Sequence, residues 1–188
     1  MSLNKKCQGG LLAITLLFSL SGWAVDFASL VKQAKTGDQQ AMLQAGSLLV
    51  TGKHKPEQSG QTESLLTPLV KAGNVKAELL LGKAYRDGLG GVSKDPKKGF
   101  ELIELAAGRQ GKSPEAQFEL GKSYFKGAGT DRNLIAAYMW TSLSLEDSEG
   151  DFIPEARKQK QQLSELLNSA QRAKANELVS QIKTVYLK

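Results

Sequence analysis

Between Val75 and Gly150 apolar residues return every third or fourth position, stop at a cluster of glycines, and then the same cycle starts again. In the first cycle Ala77, Leu81 and Tyr85 fall four residues apart and are followed by Gly88 and Gly90. In the second, Ala116, Leu120 and Tyr124 are followed by Gly127 and Gly129, an offset of 39 residues that also aligns Gly82 with Gly121 and Lys83 with Lys122. Spacing of this kind predicts one apolar stripe on a helix. Glycine inside such a helix costs about 1 kcal/mol against alanine, so its presence twice at one place predicts that a second helix packs against bare backbone there. Gly88 and Gly90 end the helix and turn the chain, and Asp95-Pro96 restarts it with a capping carboxylate and a preset φ. The returning helix carries Phe100, Leu102, Ile103, Leu105, Ala106 and Ala107 and ends near Gly108 and Gly111. Such a hairpin cannot bury its own apolar face and has to stack on another.

The flanking segments extend the pattern. Asp26 to Ala34 reads as an N-terminal half-repeat, and Ala41, Gly46 and Gly52 fall at the spacing of Ala77, Gly82 and Gly88. Lys53 to Gly60, with the single histidine His54, reads as a polar loop, and Thr62 to Ala72 as a return helix that Pro68 should kink or break. After Gly150 the repeat glycines disappear. Phe152, Ile153, Ala156, Leu163, Leu166 and Leu167 make one stripe, Asn168 to Gln171 a capping box, and Ala175, Leu178, Val179, Ile182, Val185 and Tyr186 a last stripe. The expectation is an all-α chain, an α/α solenoid of about nine helices. Residues 25–150 would hold the repeats, a degenerate copy at 38–73 and clear ones at 75–111 and 114–150, and residues 151–188 would form capping helices.

The run Ala77, Leu81-Gly82, Tyr85, Gly88, Gly90, Val92, Asp95, Lys98-Gly99, Ala106-Ala107 and Gly111 resembles the Sel-one-like repeat, a relative of the tetratricopeptide repeat. The family pattern is approximately AxxxLGxxYxxGxGVxxDxxKAxxWxxxAAxxG. The first copy departs from it by the extra Gly91, by Gly99 for alanine and by Leu102 for tryptophan; the second keeps Trp140 but has Thr130, Asn133 and Ala136 for valine, aspartate and lysine. The resemblance implies a helical solenoid in which the first helix of each repeat lines a concave groove. It implies no particular ligand.

Composition narrows the function. Hydrophobic content of 40% and charged content of 23% fit a folded domain rather than a disordered chain. Met1 to Ala24 has Lys5-Lys6, the apolar run Leu11–Leu20 and a small-residue stretch ending at Ala24, the layout of a cleaved secretory signal, with a run too short to span a membrane comfortably. A periplasmic or otherwise exported protein follows, without a stable membrane span after cleavage. Loss of Lys5 and Lys6 lowers the basic count from 25 to 23 against 19 acidic residues, so the charge falls from +6 to +4. The only cysteine, Cys7, would leave too, which removes disulfides and thiolate chemistry. It also separates the chain from the cysteine-rich branch of the resembled family.

Candidate chemistry is sparse. His54 has no serine or carboxylate arranged with it as a triad requires. Gly88-x-Gly90-Gly91 follows no strand and is duplicated at Gly127-x-Gly129, so turns explain it better than phosphate binding. Asp87, Asp95, Asp131 and Glu146 have turn, cap or surface roles, and no cofactor or metal site is expected. Arg157-Lys158-Gln159-Lys160 lacks stacking aromatics and is flanked by Glu155 and Glu165, which argues against nucleic acid. What remains is the groove. Counted from the helix glycine, the resemblance places Leu79, Lys83 and Arg86, then Phe118, Lys122 and Phe125, with Leu43, Ser47 and Val50 of the degenerate copy, along it. Apolar residues interleaved with cations suit a protein or peptide partner with acidic and apolar anchors. A non-enzymatic, exported interaction module or adaptor is therefore expected, with an immunity or accessory protein masking a co-encoded secreted toxin as the alternative and an enzyme as the third.

Overall fold

Short polar side chains set where each helix begins. The computed structural model describes residues 27–53, 60–108, 113–146 and 149–186, and these form helices α1 (Phe27–Lys35), α2 (Gln39–Val50), α3 (Thr62–Lys71), α4 (Val75–Asp87), α5 (Pro96–Gly108), α6 (Pro114–Lys126), α7 (Leu134–Leu143), α8 (Ile153–Leu166) and α9 (Ser169–Tyr186). No strand occurs among the described residues. Asp38, Asn74, Ser113 and Asn133 each accept a backbone N–H in the first turn of α2, α4, α6 and α7, and Asp95 accepts from Lys98 N at the start of α5. Asn168 and Gln171 cap α9 reciprocally, each side chain accepting the other's amide. At the other ends, Gly88 (φ 73°) and Gly127 (φ 68°) adopt the left-handed conformation that lets the chain turn out of α4 and α6.

The hairpins close through their glycines. A β-carbon on Gly82 would lie 2.8 Å from Ile103 Cγ1 and 3.0 Å from the Gly99 carbonyl oxygen, so α4 and α5 meet backbone to backbone. Gly121 makes the same approach to Thr141 and Ala137 of α7, whereas Gly46 packs on the Leu66 side chain of α3. Gly99, where the family pattern has alanine, abuts the Arg86 backbone; a β-carbon there would sit 2.5 Å from Arg86 N, which explains the departure. The turn glycines then join one hairpin to the next. Gly90 packs on Thr62, whose hydroxyl donates to its carbonyl at 2.6 Å, and Gly129 packs on Pro96.

Stacking creates the core. Leu66 and Leu69 of α3 meet Leu80, Leu81 and Tyr85 of α4. Leu79 of α4 joins Ile103 and Ala106 of α5 to Ala116 and Leu120 of α6. Further on, Ala137 and Tyr138 of α7 meet Leu163 and Leu167 of the α8 end and Ala175 of α9. Trp140 is half-buried, packed against two of these clusters. Each second helix (α3, α5, α7) thus lies between its own first helix and the next one, the arrangement of a solenoid. Tyr85 ties three helices together: its hydroxyl donates to Glu63 of α3 and accepts from Lys98 of α5, whose ammonium stands 3.8 Å from the ring centre. Burial, and then the Glu63 carboxylate, push the phenol above its ordinary value despite Lys98.

Two expectations change. Pro68 does not break α3: the helix runs on to Lys71, with Ala72 N donating to the Pro68 carbonyl at 3.1 Å. Leu166 is 53% exposed and does not join the stripe formed by Ala156, Leu163 and Leu167. Residues 1–26, which include the expected signal segment, and the loop residue His54 lie outside the described residues.

The glycine contacts give a direct test. Gly82→Leu or Gly121→Leu should cost about 3 kcal/mol by forcing α4 from α5 or α6 from α7. Gly108, which has open space around its α-carbon, should accept alanine within about 0.5 kcal/mol. Chemical denaturation followed by circular dichroism measures all three, and a wild-type midpoint for Gly82→Leu would mean that the close approach does not constrain the fold.

Candidate binding surface

Side chains cross between the first helices α4 and α6. The nine expected groove positions separate by burial: Val50, Leu79, Arg86 and Phe118 are buried, and Leu43, Ser47, Lys83, Lys122 and Phe125 are partly exposed. Phe118, at 1% exposure, is covered by Phe152 from the start of α8, the two rings stacked with centroids 5.9 Å apart. Leu79 is held inside the α4–α5–α6 cluster and Val50 inside the α2–α3–α4 cluster. As apolar anchors for a partner, Phe118, Leu79 and Val50 are therefore corrected: they already have neighbours in the chain itself. Phe125 packs on the α7–α8 cluster, with the Arg132 guanidinium 5.8 Å above its ring.

The cations are corrected as well. Arg86, 5% exposed, places Nη2 2.7 Å from Glu119 Oε2 and 2.7 Å from Asp87 Oδ2, and its Nη1 donates to the Glu119 carbonyl at 3.2 Å. Lys83 lies 3.1 Å from Glu115 and 3.5 Å from Glu119. Lys122 lies 3.4 Å from Glu119 and 3.4 Å from Glu155 of α8. Three cations thus face four carboxylates, so the centre of the face offers no surplus positive charge to an acidic partner. Burial on its own would raise the Glu119 carboxyl, but Arg86, Lys83 and Lys122 together hold it below the usual carboxylate range. Burial likewise opposes the charge on Lys83, and Glu119 with Glu115 overcomes it, so the ammonium is held above its ordinary value.

Glu119 is the residue that column-by-column reading of the repeats missed, since it aligns with Leu80. The signal was present in its own helix: Glu115, Glu119 and Lys122 recur at i, i+4 and i+7 on one face, the spacing at which charged side chains meet. No group of three or more His, Cys, Asp and Glu residues suited to a metal ion occurs among the described residues. At the N-terminal end of the face a separate cleft of about 360 Å³ opens between α1, α2 and the first turn of α4, with Leu43 and Ser47 among its walls.

This geometry, hairpins closed by glycine and stacked through the second helix of each, agrees with comparison to known proteins. The Sel1 repeat family profile matches residues 75–109 and 114–147. The chain carries two Sel1 repeats. Among solved structures it is similar to c5321, a protective antigen of uropathogenic Escherichia coli strains that displays an SLR fold, with a TM-score of 0.72 and 22% identity over 85% of this chain and 33% of that one. It is also similar to a Sel1 repeat protein from Oxalobacter formigenes, with a TM-score of 0.50 and 26% identity over 71% of this chain and 36% of that one. The chain spans about a third of the length of these structures. No curated protein matches it. No helix among the described residues is long and apolar enough to cross a membrane.

Acid titration should expose the Glu119 network. A carboxyl held low in the folded state contributes stability above the usual glutamate value of about 4.3, and that contribution is lost as pH falls through the lower folded value. Glu119→Gln should cost about 2 to 4 kcal/mol at neutral pH by leaving Arg86 with Asp87 as its one carboxylate among the described residues. Wild type should then lose more stability than the variant between about pH 5 and pH 3. Equal acid slopes in urea denaturation would remove Glu119 as the source.

Proposed function

We propose that this Sel1-repeat chain is a non-enzymatic, exported interaction module that engages a partner protein through the face of α2, α4 and α6. The observation that supports the reading is the division of these positions into exposed and buried. Leu43, Ser47, Lys83, Lys122 and Phe125 are reachable, while Arg86, Glu119 and Phe118 lie buried beneath and fix their neighbours in place. A surface ordered before binding loses less side-chain freedom on association, which is how a modest area holds a partner. Export rests on the N-terminal pattern of Lys5-Lys6, the Leu11–Leu20 run and Ala24. The close approach of Gly46 to Leu66 supports reading α2 and α3 as a third, degenerate repeat that lengthens the same face.

Photo-crosslinking in intact cells tests this. Benzoylphenylalanine at Ser47 or Phe125 should give a discrete adduct with one partner, while the exposed α5 positions Lys97 and Glu104 give none, and the recovered chain should begin near Val25. Equal adducts from α5, or a chain retaining Met1 in the cytosol, would overturn the interaction face or the export respectively.

A further inference from the structure

We propose that the cleft between α1, α2 and α4 is the recognition subsite of this face, and that it takes a segment of a partner protein carrying aliphatic side chains and one carboxylate. The inference rests on the interaction-module reading and gives it a chemistry. Leu30 of α1 forms the floor, Leu43 and Leu48 of α2 the apolar wall, and Gln40, Gln44 and Ser47 a neutral hydrogen-bonding edge. Positions 40, 43, 44, 47 and 48 follow one helical face, so the wall is a single strip of α2 rather than a chance gap between loops. At about 360 Å³ the cleft is within the range that holds small ligands and side-chain groups.

Lys76 supplies the charge. It is the only ionisable residue lining the cleft, it is exposed, and it makes no ion pair among the described residues. Lys83, Arg86 and Lys122 farther along the face are each neutralised by carboxylates of the chain. A partner's acidic side chain therefore finds its counter-charge at Lys76 and not at the centre of the groove. Apolar burial against Leu30, Leu43 and Leu48 would hold the segment, and the lysine would choose its sign.

The test uses two tripeptides, acetyl-Leu-Glu-Leu-amide and acetyl-Leu-Lys-Leu-amide, titrated into the ¹⁵N-labelled mature chain at neutral pH. Saturable amide shifts at Gln40, Leu43, Gln44, Ser47 and Lys76 should appear, with affinity of about 1 mM or weaker. The glutamate peptide should bind about two- to fivefold tighter than the lysine peptide, the range set by an exposed ion pair. Lys76→Glu should reverse that order, and it should fold normally because an acid suits the first turn of a helix. Absent shifts, shifts elsewhere, or a preference unchanged by Lys76→Glu would overturn the proposal. Concentration-dependent shifts at these residues without peptide would overturn it in favour of a second copy of the chain. Adducts at Phe125 in cells together with absent cleft shifts would sink the subsite while leaving the interaction module. Cleft shifts without any adduct in cells would do the reverse.

Discussion

Arg86 of α4 reaches across the repeat boundary and closes on Glu119 of α6 at 2.7 Å, with both side chains 5% exposed. Each hairpin is only two helices thick, so its charged residues cannot retreat far from the next repeat; they must be paired there or left desolvated. Removing two charges from water is costly, and the pairing holds only where further hydrogen bonds complete it. Here the Glu119 carbonyl and Asp87 complete Arg86, and Lys83 and Lys122 complete Glu119. The apolar clusters give the repeats their adhesion. The ion network fixes their register, because a helix slipped by one turn would strand a buried charge.

That arrangement sets the charge of the face. On the proposed reading, unpaired lysines and arginine would attract any acidic segment, whereas cations already shared among Glu115, Glu119, Glu155 and Asp87 would leave the groove close to neutral and selective by shape. Lys76, which makes no ion pair among the described residues, stands instead beside an apolar cleft of α2. The C-terminal helices contribute to the same economy: α8 sends Glu155 to Lys122 and Phe152 over Phe118, closing the last repeat with groups the repeat pattern itself does not contain.

The hairpins were legible in the chain because their causes are local. Gly82 and Gly121 announce a close helix contact, Asp95 and Asn168 announce caps, and each acts within one turn or one loop of its own position. The groove was only half legible. The resemblance put Arg86 and Phe118 along the groove, but the residues that cover them come from 33 or more positions away, as Arg86 with Glu119 and Phe118 with Phe152 show. Periodicity reports which way a side chain leaves its helix and not what the next repeat places against it. Pro68 was misjudged as a break, for α3 runs on past it to Lys71.

The most direct measurement of the central claim is a double-mutant cycle at the repeat boundary. Arg86→Met, Glu119→Gln and the double variant would be unfolded in urea beside wild type at one pH and salt concentration. Two buried partners whose pairing fixes the register should show a coupling energy of about 2 kcal/mol, with the double variant recovering part of the cost of either single change. Additivity within about 0.3 to 0.5 kcal/mol would contradict the account. The first helices would then be held by apolar packing alone, and the charges on their face would be free to meet a partner.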